Sequence, residues 1–143
     1  MKPLILVIDD MKDERKLVRL LLRQYDCELA EAAGAEEGLV AARKRTPNLI
    51  LIDHTMPQMK GYEAVAEFRT DPALCRVPVI MLSSRKFDPC FKDYMSLQGV
   101  TFLAKPVQAG ALVSTIGSLI GALAPAPKKP ALASAATAAA CRV

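Results

Sequence analysis

The sequence has little of what several protein classes require. It contains no tryptophan, only four phenylalanines and three tyrosines, and a single histidine. The core therefore has to be built from Leu, Ile, Val and Ala. The four cysteines (Cys27, Cys75, Cys90 and Cys141) form no Cys-x-x-Cys pair and no metal-ligand spacing with His54. This pattern argues against a zinc site and indicates reduced structural thiols in a cytoplasmic protein.

An excess of charge of one sign is also missing. The formal net charge of +4 depends on Lys128, Lys129 and Arg142, which lie close to the carboxyl terminus. Without these three, 16 basic residues stand against 15 acidic ones. A nucleic-acid-binding domain needs a dense basic face, so we expect no nucleic acid partner. The 52% apolar content is enough for one folded domain rather than a disordered chain.

Neither a signal peptide nor a membrane anchor is expected. The amino terminus runs into an apolar segment that lacks the small-residue cleavage site of a signal peptide. Residues 107–127 carry no charge, which is long enough to span a bilayer. However, this stretch contains three glycines and several hydroxyl side chains, and its large apolar residues recur at helical spacing. We therefore interpret it as a helix with one buried face.

Strand and helix patterns alternate along the chain. Continuous aliphatic runs at 4–8, 49–52 and 79–82 are typical of strands that are covered on both faces, and shorter strands are predicted at 28–31 and 101–103. Helical patterns occupy 14–25, 35–44, 62–69, 88–98 and 108–123. Asp88-Pro89 is an N-cap followed by proline, and Gly99 is the expected stop of that helix.

This alternation predicts a doubly wound α/β domain with a five-stranded parallel sheet. We place the domain at residues 1–123. From residue 124 to 143 the sequence is rich in Ala and Pro and has no apolar periodicity, so we interpret it as a disordered tail or a truncated linker.

Polar residues follow the predicted strands at the points where each ends. They are Asp9 and Asp10, Asp53, Ser83 and Lys105. The carboxyl ends of parallel strands meet at one edge of the sheet, so these side chains should lie together. Three clustered carboxylates stay ionised only with a cation, and an all-oxygen ligand set suits Mg²⁺.

This residue set also suggests a phosphoryl-transfer chemistry. A carboxylate can attack phosphorus and form an aspartyl phosphate, while a lysine and a hydroxyl bind the transferred oxygens. Taken singly, Asp9-Asp10 could be a helix cap, Asp53 a turn residue and Lys105 a surface lysine. The coincidence of all of them at strand ends favours the functional interpretation.

The sequence resembles the receiver domains of bacterial two-component response regulators, including the chemotaxis regulators, over residues 1–121. Ser83 and Lys105 follow Asp53 by 30 and 52 residues. The matching motifs are Asp9-Asp10, Asp53, Met56-Pro57-Gln58-Met59-Lys60-Gly61, Ser83 and Lys105-Pro106. The resemblance implies the flavodoxin-like fold, for which the chemotaxis regulator is a standard example of the strand order 2-1-3-4-5.

The resemblance also implies a role for each site residue. Asp53 is implied as the phosphoacceptor, and Asp10 and Asp53 as direct Mg²⁺ ligands together with the backbone carbonyl of Thr55. Asp9 is implied to act on the metal through a water molecule. Lys105 is implied to pair with the phosphoryl group.

Two further residues are implied to transmit the signal. Ser83 is implied to move toward the phosphoryl group, and Phe102 matches the aromatic switch position. Phosphorylation is then expected to change the face formed by the fourth and fifth helices and the fifth strand. The implied partners are a histidine kinase or phosphotransfer protein and a downstream output protein or domain.

Two alternatives remain beside this interpretation. A hydrolase with an aspartate nucleophile needs a second acid two residues later, where this chain has Thr55. A degenerate receiver that only docks a partner would not need the complete acidic set. Lys60 stands where the family usually has an aspartate that caps the third helix, so that cap should be weaker by about 1 kcal/mol. His54 is expected to pack against a helix or lie at the surface.

Overall fold

Five strands and five helices alternate in the computed structural model, which describes residues 2–127. The strands are β1 (Leu4–Ile8), β2 (Glu28–Ala32), β3 (Leu49–Asp53), β4 (Val79–Ser83) and β5 (Val100–Ala104). The helices are α1 (Lys12–Leu22), α2 (Ala35–Lys44), α3 (Gly61–Thr70), α4 (Pro89–Leu97) and α5 (Ala109–Ile120). The predicted alternation of strands and helices is confirmed.

All strand pairs are parallel, and the sheet has the order β2-β1-β3-β4-β5. The predicted doubly wound, flavodoxin-like class is therefore confirmed. The strand order reverses direction between β1 and β3. In open α/β sheets the carboxyl ends at such a point leave a crevice that binds ligands. The register places Asp53 of β3 opposite Leu82 of β4, so the end of β3 adjoins Ser83.

The core consists of two apolar layers, one on each face of the sheet. Every residue of β1, β3 and β4 is buried, as the continuous aliphatic runs predicted. On one face the sheet packs against α2, α3 and α4, with Phe68 and Met95 in the layer. On the other face α1 and α5 contribute Leu22 and Ile116. This rigid sheet fixes the strand ends that carry the polar residues.

Local signals account for the ends of α4 and α5. The Asp88 carboxylate accepts a hydrogen bond from the Cys90 backbone N–H at 2.7 Å, and Gly99 follows α4 with a φ of 78°. Both features match the predicted cap and stop. Gly121, with a φ of 97°, ends α5 at Ile120, short of the predicted end at residue 123. The left-handed backbone at a glycine explains this earlier stop.

The chain after α5 returns to the loop that follows α1. The Asp26 N–H donates to the Ala124 carbonyl and the Ala126 N–H donates to the Gln24 carbonyl, both at 2.7 Å. Tyr25 and Pro125 form an isolated antiparallel bridge between them. The first residues of the predicted tail are thus hydrogen-bonded to the domain, while residues 128–143 lie outside the described residues.

Cys27, Cys75 and Cys90 are free thiols, and Cys141 lies outside the described residues. Within residues 2–127, none of the helices combines the length and the apolar character needed to cross a membrane.

Candidate functional site

Three carboxylates meet where β1 and β3 end. Asp9 and Asp10 follow β1, and Asp53 is the last residue of β3. Each offers a carboxylate oxygen, and these oxygens all lie within 4.8 Å of one another. Asp9 and Asp53 are only 3% and 5% exposed. The structure therefore brings the three predicted acids together at one edge of the sheet.

This cluster fits a divalent cation. Burial raises the pKa of Asp9 to about 6; a hydrogen bond from the Met11 N–H opposes this rise, and the neighbouring charge of Asp53 adds to it. One buried carboxylate oxygen of Asp10, Oδ1, has no hydrogen-bond partner within the described part of the chain. A cation at this point would reduce the repulsion between the carboxylates and would give the Asp10 oxygen a partner. The oxygen-only donor set suits Mg²⁺.

Lys105 brings a positive charge into the same cluster. Its Nζ lies 2.9 Å from Asp53 Oδ1, 2.6 Å from Glu14 Oε1 and 3.7 Å from Asp9 Oδ2. The following peptide bond to Pro106 is cis. Burial alone would lower the pKa of Lys105, but its hydrogen bonds to Glu14 and Asp53 outweigh that effect and raise the pKa. The lysine is therefore a cation held beside the carboxylate of Asp53.

Glu14 is a member of this cluster that the sequence did not predict. It lies in the first turn of α1, and its carboxylate makes the shortest of the three contacts to Lys105. The rule that sites form at strand ends does not select a helical residue. The sequence feature that could have identified Glu14 is its position four residues after Asp10. Because α1 begins at Lys12, this position falls in the first helical turn after the acidic pair.

Ser83 connects two elements next to this cluster. Its side chain is buried, and its hydroxyl accepts a hydrogen bond from the Arg85 backbone N–H at 3.0 Å. Its carbonyl accepts a hydrogen bond from the Lys105 N–H, also at 3.0 Å. Ser83 therefore ties the loop between β4 and α4 to the end of β5.

Phe102 of β5 is half-buried against the side of that loop. Its ring centroid lies 5.2 Å from that of Phe87 in the loop and 6.2 Å from that of Phe91 in α4. Thr55, the remaining predicted residue, is exposed and lies in the loop that follows β3.

His54 joins this aromatic cluster rather than the carboxylates. It is buried, and its ring lies 5.9 Å from Tyr62 and 4.6 Å from Phe87, measured between centroids. Neither ring nitrogen has a hydrogen-bond partner among residues 2–127. Burial lowers the pKa of His54, and the positive charges of Arg85 and Lys60 lower it further. The expected packing role against a helix is confirmed.

The start of α3 lies very close to the end of β3. A Cβ atom on Gly61 would lie 3.0 Å from both the Asp53 carbonyl oxygen and the His54 Cα. Only glycine fits this approach without a shift of the backbone. At the preceding residue, the Glu63 carboxylate accepts a hydrogen bond from the Lys60 N–H at 2.9 Å. Glu63 thus satisfies the backbone N–H of Lys60, but the Lys60 side chain has no acceptor and cannot cap the N–H groups of the first helical turn as an aspartate would.

Comparison with known proteins decides the family. The model of the response regulator receiver domain matches residues 5–117. The chain belongs to the receiver domain family of response regulators. This receiver domain is similar to the protein PilH of Pseudomonas aeruginosa, with 27% identity over 117 residues that cover 81% of the chain and 96% of PilH.

Solved structures agree with this assignment. The chemotaxis protein CheY4 of Vibrio cholerae superposes with a TM-score of 0.76 at 28% identity, covering 83% of this chain and 99% of that one. Among the sequence relatives, a hybrid signal transduction histidine kinase of Dictyostelium discoideum is 30% identical over 120 residues, which cover 83% of this chain but 8% of the kinase. Receiver domains thus act in two-component signalling both alone and within larger proteins.

Proposed function

We propose that this receiver domain accepts a phosphoryl group on Asp53 in a Mg²⁺-dependent reaction, with a histidine kinase or phosphotransfer protein as donor. A carboxylate oxygen of Asp53 attacks the phosphorus atom of a phosphohistidine. The P–O bond forms as the P–N bond breaks, and the histidine nitrogen leaves with the electron pair. The observation that carries the proposal is the Lys105 ammonium 2.9 Å from Asp53 inside a cluster of three carboxylates.

Four oxygen donors are proposed to hold the metal. Asp10, Asp53 and the backbone carbonyl of Thr55 would bind it directly, and Asp9 would bind through a water molecule. A bound divalent cation would neutralise the carboxylates and offer coordination positions to phosphoryl oxygens. The buried and unpartnered oxygen of Asp10 supports its place in this set.

The protein side chains orient and balance the charge of the transferred group. Lys105 already contacts Asp53, so its ammonium can pair with a phosphoryl oxygen after a small movement. The Ser83 hydroxyl, buried beside the end of β3, is proposed to donate a hydrogen bond to another oxygen. The domain would thus catalyse only its own phosphorylation and dephosphorylation, as a signalling switch rather than a metabolic enzyme.

The switch is proposed to run through Ser83 and Phe102. To bind a phosphoryl oxygen, the Ser83 hydroxyl is proposed to move toward Asp53 and away from the Arg85 N–H, from which it now accepts a hydrogen bond. This movement would open space beside β5 and let Phe102 turn, which changes the face formed by α4, β5 and α5. A downstream protein or domain would then bind that face. Comparison of the Phe102 rotamer with and without a beryllofluoride mimic tests this step.

The alternative is a receiver that docks its partner without phosphorylation. Labelling of the chain by acetyl phosphate in Mg²⁺ separates the two functions, because only the phosphorylated switch requires Asp53. The complete carboxylate set and its lysine favour the switch.

A further inference from the structure

A cavity of about 450 Å³ lies between β5, α4 and the loop that connects β4 to α4. Its apolar part includes the rings of Phe87 and Phe102, and its inner end reaches Ser83. Three cations line it as well: Arg85, Lys86 and Lys92. We call this cavity with its rim the Phe102 groove.

The cations of the Phe102 groove have no acidic partner in the described part of the chain. Arg85, Lys86 and Lys92 are all exposed, and none of them forms an ion pair within residues 2–127. By contrast, exposed arginines elsewhere, such as Arg19 and Arg45, pair with carboxylates of neighbouring elements. The positive charge at the groove is therefore available to a partner.

Two of these cations are positioned by the aromatic rings. The Arg85 guanidinium lies 5.6 Å from the centroid of the Phe87 ring, and the Lys92 ammonium lies 5.8 Å from that of Phe102. Such contacts hold a cation beside an apolar surface without neutralising it. The carboxylate of Asp88, in the same loop, does not line the groove and caps α4 through Cys90.

We propose that the Phe102 groove binds an acidic segment of a partner protein that places one apolar side chain between Phe87 and Phe102. The inference rests on the proposed function, because it names the chemistry of the output partner. The tail of the chain itself does not fit: residues 128–143 contain Lys128, Lys129 and Arg142 and no acid. Carboxylates of a partner would instead be steered toward the rim and fix the position of the segment.

The groove is also coupled to the phosphorylation site. Ser83 lines the groove, and its hydroxyl accepts a hydrogen bond from the backbone N–H of Arg85, one of the rim residues. Movement of Ser83 toward a phosphoryl group on Asp53 would release the Arg85 backbone and change the inner wall. Affinity for the acidic segment is therefore expected to differ between the unmodified and the beryllofluoride-bound chain.

The test uses the full chain and three synthetic peptides, followed by fluorescence anisotropy at low ionic strength. The first peptide carries glutamates around a single leucine, the second replaces these glutamates with lysines, and the third replaces the leucine with serine. The acidic leucine peptide should bind at least about tenfold more tightly than either of the others. Its binding should weaken as salt is added.

Charge reversal locates the binding surface. Lys86→Glu combined with Lys92→Glu should lower the affinity of the chain for the acidic peptide by about tenfold or more. The matched control is Lys16→Glu with Lys44→Glu, which makes the same change of net charge on α1 and α2. Both control lysines are exposed and form no ion pair within residues 2–127. The control should bind like the wild type.

The inference is overturned if the acidic peptide shows no saturable binding, if the lysine peptide binds equally well, or if both double variants lose the same affinity. Acetyl phosphate labelling of the same samples keeps the two proposals apart. A chain that binds the acidic peptide through Lys86 and Lys92 but never takes label at Asp53 would contradict the proposed function and leave the inference about the groove standing.

Discussion

The ammonium of Lys105 lies closer to Glu14 than to Asp53: the distances are 2.6 Å and 2.9 Å. Glu14 therefore shares the cation that an incoming phosphoryl group would need. Its carboxylate also adds negative charge beside the proposed phosphorylation site, which would have to receive a further anion. Both effects should slow phosphorylation of this receiver domain.

Glu14→Gln should speed labelling of Asp53 by acetyl phosphate roughly twofold to fivefold, because a partly exposed ion pair is worth about 0.5–1 kcal/mol. The amide has the same shape but no charge. Initial labelling rates in Mg²⁺ measure this effect. Glu67→Gln, on the exposed side of α3, is the control and should label like the wild type. A slower Glu14→Gln variant would show that Glu14 assists the reaction instead.

Most of the fold could be predicted from the sequence because its signals are local. The aliphatic runs of β1, β3 and β4 indicated buried parallel strands, and all their residues are buried. The acids at the strand ends then followed from one rule about parallel sheets. The end of α5 was missed by a few residues because the stop depends on the backbone angle of one of several glycines, Gly121.

Other features could not be predicted because they depend on how separate elements meet. Glu14 is an ordinary helical glutamate in the sequence and reaches Lys105 only because α1 and the end of β5 adjoin the same crevice. The rings around His54 come from α3, α4 and the loop before α4. No spacing in the sequence connects these segments.

The three carboxylates should contribute unequally to metal binding. Asp10→Ala should weaken Mg²⁺ binding more than Asp9→Ala, because a direct ligand contributes more than one that acts through water. The missing partner of the Asp10 oxygen points the same way. Metal titrations of both variants by calorimetry provide the comparison. Equal losses of affinity would contradict the proposed division of roles.

The raised pKa of Asp9 predicts a pH dependence of stability in the metal-free domain. The pKa is about 6 in the fold against 3.8 for an ordinary aspartate, so the folded state binds this proton more tightly. The contribution of Asp9 to the free energy of unfolding is therefore fully present below pH 3.8, where the carboxyl is protonated in both states. It is lost as the pH rises through about 6, because the buried carboxyl then has to ionise.

Asp9→Asn removes that penalty. In chelator at neutral pH the variant should be more stable than the wild type by on the order of 1 kcal/mol, and the difference should vanish near pH 4. Urea denaturation at several pH values measures it. A variant that is less stable at neutral pH would show that the contact of Asp9 with Lys105 outweighs the cost of its burial.

Gly61→Ala should destabilise the domain by about 1–3 kcal/mol, because the new methyl group would press on the backbone at Asp53 and His54. Gly110→Ala is the matched control at the start of α5. Nothing lies within 4 Å of its added Cβ, so this change should be neutral or slightly stabilising. Thermal or urea unfolding of the two variants should separate them, and equal effects would show that the close approach of α3 is not tight.

The most direct test of the central claim is acetyl phosphate labelling of the wild-type chain and of Asp53→Asn, each with Mg²⁺ and with chelator. We expect a phosphoryl adduct, seen by intact mass spectrometry, only on the wild type and only with Mg²⁺, because an amide cannot attack phosphorus. Peptide mapping should place it on Asp53. Equal labelling of Asp53→Asn, or labelling that persists in chelator, would contradict the proposal.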